Sequence, residues 1–296
     1  MEYKQIVNED YIAKEENPIK QSDIYKLAEE FAKSSDNKKS ENNYAMLIVD
    51  AQRDFVDTEK GALPVRGAKQ DISRITKFIF ENINSISAIY TTIDTHRYDA
   101  IFHPCLWKDK EGNDVKPFTE ITIEKIENKE VIAVFEDIQT DYVRTLKSQG
   151  SQNLIVWPYH CIYATDGWLI EKQLSNMLLF YERAKNTTVN RIVKGTDKFS
   201  EMYGAIKQEV VSKYTSNNSH TWIYTMKDYD KIYICGEAKD YCVYETVKQL
   251  CEEYDSSVRS KLYVMMNCCS SIGDEIKCNL KYKELSKKYG INLIEI

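Results

Sequence analysis

From Tyr44 onward, short apolar runs rich in β-branched residues alternate with segments whose apolar positions recur every three or four residues. The first pattern is that of strands and the second that of helices. Strands are predicted at 45–50 (AMLIVD), 88–94 (AIYTTID), 153–157 (NLIVW), 190–194 (NRIVK), 231–236 (KIYICG), 261–267 (KLYVMMN) and 292–296 (NLIEI). Helices are predicted at 72–83, 168–182, 199–211, 241–254 and 274–289. In the first of these Ile72, Ile75, Phe78, Ile79 and Ile83 share a face; in 199–211 the set is Phe199, Met202, Tyr203, Ile206 and Val210. Such alternation calls for an α/β fold, an open and mostly parallel β-sheet with helices on both faces in a Rossmann-like three-layer arrangement.

Two stretches break the rhythm. Residues 1–43 are polar and close on SSDNKKSENN, which reads as a flexible linker after a short amphipathic helix carrying Ile24, Leu27 and Phe31. Residues 104–152 hold a possible strand at 131–135 and a helix-like stretch, DIQTDYVRTLKS, and read as an insertion. The expected division is therefore an extension over 1–43 and one domain over 44–296.

Composition narrows the function. The net charge of −6 gives no reason to expect a nucleic-acid or anionic-membrane partner. No apolar run reaches the roughly 20 residues of a membrane span, and the charged N-terminus has no signal-peptide pattern. A cytoplasmic protein is expected. Eight cysteines without a C-x-x-C pair are not a disulfide framework in a chain of 296 residues. They read as free thiols, mostly in the core, among which one is reactive.

Reactive residue types collect at the ends of the predicted strands, where open α/β sheets bind ligands. Asp50 ends the first strand; Asp94 ends the second, with His96 and His103 beyond it. His160 and Cys161 follow the third, Lys194 ends the fourth, and Cys242 lies just after the fifth near a helix start. Each alone has an ordinary reading: turn aspartate, loop histidine, rim lysine or core thiol. Together they read as a site. A thiol near a helix N-terminus is favoured as thiolate, and the turn before it can aim backbone amides at an oxyanion. A desolvated Asp50 can shuttle a proton, and Lys194 at the end of an apolar strand needs a carboxylate partner. Asp94, His96 and His160 make an open metal site. Cys161 beside His160 would point to the opposite side of an extended chain.

These residues resemble the isochorismatase-like cysteine hydrolases, and among them the nicotinamidases. The resemblance rests on five ordered blocks: DAQRDF with GALPV (50–65), DTHRYDAIFH (94–103), WPYHCIYATDG (157–167), VKGTDKFSEMYGA (193–205) and ICGEAKDYCV (234–243). It implies a catalytic triad of Asp50, Lys194 and Cys242, and oxyanion-hole amides from Ala238 and Cys242 with a cis peptide bond before Ala238. It also implies metal ligands Asp94, His96 and His160, with His103 as an additional ligand in some members. Phe55, Tyr203 and Trp157 would form the substrate pocket. The implied cofactor is one divalent ion, zinc first and iron or manganese next, and the implied partner is a small nicotinamide-like amide. Homo-oligomers are common among such proteins. Departures are Glu237 in place of an aliphatic residue, Lys239 in place of a small or hydroxylated one, Ala164 in place of a glycine, and the long insertion. The expected activity is nicotinamide hydrolysis; the alternatives are another small amide or ureide as substrate, or a silent relative that only binds.

Overall fold

The computed structural model describes residues 1–34, 36–38, 40–215 and 220–296. Its centre is a six-stranded sheet built from β1 (Tyr44–Val49), β2 (Ile86–Asp94), β3 (Asn190–Lys194), β4 (Lys231–Gly236), β5 (Leu262–Met265) and β6 (Asn292–Ile294), in the order β6-β5-β4-β1-β2-β3. Every neighbouring pair is parallel. The long helices are α1 (Gln21–Lys33), α2 (Ala68–Glu81), α3 (Glu136–Gln149), α4 (Lys172–Lys185), α5 (Tyr244–Glu253) and α6 (Glu275–Tyr289).

β1 explains why its sequence is an unbroken apolar run. Met46 and Ile48 belong to a core shared with Ile72, Ile75 and Ile79 of α2 and Phe180 of α4. Ala45, Leu47 and Val49 belong to a second core, shared with Val247 and Leu250 of α5 and Tyr282 and Leu285 of α6. Alternate residues of a strand face opposite sides, so a strand covered on both faces must be apolar throughout.

The chain starts in the middle of the sheet, runs outward through β2 and β3, then returns to lay β4 on the other side of β1. The reversal opens a crevice beyond the carboxyl ends of β1 and β4. Gly236 ends β4 against Val49: a Cβ there would lie 2.0 Å from the Val49 carbonyl oxygen, and its φ of +114° is open to glycine.

Two predicted elements come out differently. Segment 153–157 does not join the parallel sheet; only Leu154–Ile155 is extended, pairing antiparallel with Glu120–Ile121. Segment 199–211 is not a helix. Its backbone is held from outside, with the amides of Ile206 and Lys207 donating to the Gln249 side chain and that of Ala205 to Thr246. Tertiary partners thus replace the intrahelical ladder, and the apolar residues that share a helical face in the pattern go to separate places: Ile206 and Val210 lie in different cores.

The polar extension is docked on the body. Ile6, Val7, Ile12, Ile24, Ala28 and Phe31 are buried in the same core as α2 and α4. The Phe31 and Phe180 rings lie 5.8 Å apart, and the Asn8 amide donates to Gln173. Residues 35 and 39 of the expected linker lie outside the described residues. The stretch 104–152 also packs inward, burying Trp107, Tyr142 and Leu146. No described helix is long and apolar enough to cross a membrane.

Candidate active site

The crevice gathers the residues that the strand ends present. Asp50 leaves β1 with a φ of +43°, uncommon for a non-glycine residue. Its carboxylate accepts from Thr92 Oγ1 at 2.6 Å and lies 2.9 Å from Lys194 Nζ. Lys194 Nζ also lies 3.1 Å from Asp94 Oδ1, donates to the Met202 carbonyl at 3.0 Å, and approaches Cys242 Sγ at 3.7 Å. Asp50 and Lys194 are fully buried and Cys242 is 5% exposed. Lysine, aspartate and thiol, distant in sequence, therefore meet in one place.

The electrostatics follow from burial. Burial pushes the Asp50 carboxyl above its ordinary range against the pull of Lys194. Burial alone would lower the Lys194 ammonium, but Asp50 and Asp94 together hold it well above its usual value. Burial pushes the Cys242 thiol well up, Lys194 offsetting only part. The resting site is thus a thiol beside an ion pair, and the carboxylate with the raised pKa is the ready proton acceptor.

Cys242 lies in a wide turn, Lys239–Val243, whose Val243 amide bonds the Ala238 carbonyl five residues back and which runs into α5. The Glu237–Ala238 bond is cis, as expected. Ala238 and Cys242 both line a narrow pocket. Its other walls are Phe55, Trp157, Tyr203 and Tyr241, together with Asp94, His160, Glu201, Leu63 and Ile272. Trp157 Nε1 donates to the Tyr203 hydroxyl at 3.0 Å, and the Phe55 ring stands edge-on to His160 at 5.6 Å. Phe55, Trp157 and Tyr203 are therefore pocket walls. Tyr241, Leu63, Ile272 and Glu201 were missed from sequence. Glu201 is 3% exposed, and burial pushes its carboxyl up to about 7; reading 199–211 as a helix had hidden it, though it lies in the same block as Lys194.

Four residues test as a metal-binding set. His96, His103 and His160 each offer a ring nitrogen, and these lie within 4.8 Å of one another. Each Nδ1 faces a backbone carbonyl, that of His160 for His96, of Tyr98 for His103 and of Pro158 for His160. A carbonyl that accepts from Nδ1 leaves Nε2 free to ligate, the usual outer support of a metal-bound histidine. His103 Nε2 is buried without a hydrogen-bond partner. Asp94 Oδ1 lies 3.0 Å from His96 Nε2. Burial holds His103 down to about 4 and His160 well below its usual value, so both stay neutral. Burial would lower the His96 imidazole, but the Asp94 carboxylate outweighs it and holds it above its ordinary value. Three imidazoles and a carboxylate fit a divalent ion of the zinc, iron or manganese kind. A second acid and thiol group, Asp50, Asp94 and Cys242, is as compact, but the Lys194 ammonium among them opposes a second cation there.

Supporting residues hold this geometry. Gln52 bridges Asp94, accepting from its amide and donating to its carbonyl, both at 2.7 Å. Asp54 accepts from the Cys161 amide at 2.7 Å and so anchors the His160 loop. That loop, not a strand of the central sheet, delivers His160. Cys161 itself is buried away from the pocket lining. Gly195, with a φ of +72°, lets the chain pass Asp94: a Cβ there would sit 2.4 Å from Asp94 Oδ1.

No protein-family model matches the chain, and no curated protein does. Solved structures do. The yeast nicotinamidase Pnc1p is similar with a TM-score of 0.61 at 20% identity, over 86% of this chain and 100% of that one. A nicotinamidase–pyrazinamidase from Acinetobacter baumanii gives 0.58 at 20% identity, over 87% and 98%. The pyrazinamidase of Pyrococcus horikoshii, solved in complex with zinc, gives 0.52 at 19% identity, over 86% and 99%. The chain has the nicotinamidase fold. Identity this low establishes architecture, and the chemistry has to be argued from the site.

Proposed function

We propose that this protein is a metal-assisted cysteine amidohydrolase that converts nicotinamide and water to nicotinate and ammonia. One observation carries the reading: Cys242, which lines an aromatic pocket together with Asp94 and His160, meets the buried Lys194 Nζ, itself paired with the Asp50 carboxylate.

In this reading the amide plane enters between Phe55, Trp157 and Tyr203. Asp50 takes the Cys242 proton and the thiolate attacks the amide carbon. The backbone amides of Ala238 and Cys242 stabilise the oxyanion. Asp50 returns the proton to departing ammonia, leaving an acyl thioester on Cys242. Asp50 then takes a proton from water, which attacks the thioester; the acid leaves and the thiol is restored. Lys194 holds Asp50 in place and balances its charge. A divalent ion bound by Asp94, His96 and His160, with His103 beside them, would supply Lewis-acid attraction for a heteroaromatic nitrogen or for water. A second reading keeps the chemistry and changes the substrate to another small amide or ureide. Glu201 favours it, since a buried carboxyl on the pocket wall can select for an extra polar group on the substrate.

The test is ammonia release from nicotinamide, pyrazinamide and ureido compounds by purified protein, before and after chelation and zinc return. Nicotinamide turnover that chelator abolishes and zinc restores is expected. Cys242→Ala should lose on the order of 10⁴-fold or more in rate, and Cys161→Ala should retain activity. Equal turnover by Cys242→Ala and the parent protein would sink the assignment.

A further inference from the structure

We infer that Glu237 and Asp71 share a single proton, and that the hydrogen bond it makes is what fixes the turn presenting Ala238 and Cys242 to the pocket. The role given to that turn rests on the function proposed above; the shared proton does not.

Glu237 is the residue between the end of β4 and Ala238. Its amide donates to the Val49 carbonyl at 2.8 Å, one residue before Asp50, and the Lys239 amide donates to the Ser270 carbonyl at 2.8 Å. The backbone is thus held on two sides, by the end of β1 and by the loop after β5. The Glu237 side chain lies outside the pocket lining and is fully buried. It meets Asp71, in the first turn of α2, which is 2% exposed. Both carboxyl groups are buried side by side against Ser270, each acting electrostatically on the other. Ser270 serves both, its hydroxyl donating to Asp71 at 2.5 Å and its amide to Glu237 at 3.4 Å. Glu237 Oε1 is buried with no donor from the described protein.

Two carboxylates are acceptors only and cannot bond to one another. A bond between them requires one proton, giving the pair a net charge of −1. Losing it would place two negative charges in contact in a dry site. The surrounding groups do not supply the missing charge. Arg74 approaches Asp71 Oδ1 only at 3.5 Å and is part-exposed. Lys239 on the same turn is committed to Glu275 of α6 and to the Met266 carbonyl. Asp240, on the turn itself, adds further negative potential. The thiols of Cys235 on β4 and of Cys268 and Cys269 after β5 stay neutral, pushed up by burial. Burial, then Asp71, pushes the Glu237 carboxyl well above its ordinary range, in keeping with Glu237 carrying the proton. The pair therefore bolts the turn to α2, where an aliphatic residue could only fill space.

The experiment has two arms that need no turnover and one that does. Infrared difference spectra at pH 9, parent protein minus Glu237→Gln, are expected to show a protonated-carboxyl stretch that the variant lacks. Absence of that band in the parent protein overturns the shared proton, whether or not any amide is hydrolysed. Amide hydrogen exchange over residues 237–243 is expected to keep its protection in Glu237→Gln, whose amide can donate to Asp71, and to lose at least tenfold in Glu237→Leu. Equal protection in both variants overturns the positioning role. If the protein turns over nicotinamide, kcat/KM of the parent should fall at high pH with a limb that Glu237→Gln lacks; superimposed profiles count against positioning. Failure of all amides as substrates would strike the proposed function and leave the first two arms standing.

Discussion

At the scale of single residues, Lys194 is the most exposed to test. It is fully buried and faces Asp50 and Asp94 at 2.9 and 3.1 Å. Removing one partner of a buried ion pair leaves an uncompensated charge and typically costs about 3–5 kcal/mol. Lys194→Ala should lose stability of that order in urea unfolding, along with activity; a change below 1 kcal/mol would mean that the carboxylates are neutral. Ala164 offers the opposite sign. It is exposed and held at a φ of +62°, where a Cβ is strained. Ala164→Gly should raise stability by up to about 1 kcal/mol, relief of strain exceeding the added freedom of the unfolded chain. The candidate site residues could be read along the chain because Asp, His, Lys and Cys recur together at the ends of successive apolar strands, although each alone has an ordinary role. Glu201 could not, because its burial comes from a loop whose shape is set by Gln249 and Thr246 on another element.

At the scale of elements, the extension and α4 form a unit. Glu171 caps α4 by accepting from the Leu174 amide at 2.8 Å and reaches the Ala13 amide of the extension at 3.3 Å. Burial raises its pKa from 4.5 to about 7. The folded protein then holds that proton to higher pH than the unfolded chain. Its contribution to stability is full below about pH 4.5 and is lost as the pH rises toward 7, on the order of 3 kcal/mol at most. Glu171→Gln should flatten stability between pH 5 and 7, measured by denaturant midpoints; an unchanged slope would assign the linkage elsewhere. Phe31 anchors α1 on Phe180 at 6% exposure. Phe31→Ala should cost about 3 kcal/mol, and a cost near zero would mean that α1 is detached in solution. The helix at 21–33 was legible from its apolar stripe. The helix predicted at 199–211 was not there, because a 3.6-residue period reports only that apolar residues are spaced to share a face, not that a backbone ladder wins over outside donors and acceptors.

At the scale of the whole molecule, the site exists because the chain reverses direction in the middle of the sheet. β1 and β4 become neighbours, and the residues that follow them face each other across the crevice. The three imidazoles join there from two loops, each with its ring fixed by a backbone carbonyl. A metal bound only by the folded state adds stability by mass action, about 2.7 kcal/mol at a free concentration 100 times the dissociation constant. Chelation should therefore lower the melting temperature of the metal-loaded protein, and His96→Ala should remove that response; a melting temperature indifferent to zinc and chelator would mean that the cluster does not bind it.

The candidate site residues are legible as polar groups at the strand ends, and most of the strands and helices and the two-sided burial of β1 follow from local composition and period. The distances among Asp50, Lys194 and Cys242, the delivery of His160 by a loop instead of a sheet strand, and the pairing of Glu237 with Asp71 do not. Each depends on segments dozens to hundreds of residues apart being packed together, and on water being excluded where they meet. No one-dimensional pattern records that exclusion, and it is what turns ordinary carboxyls, an amine and a thiol into groups with altered proton affinities.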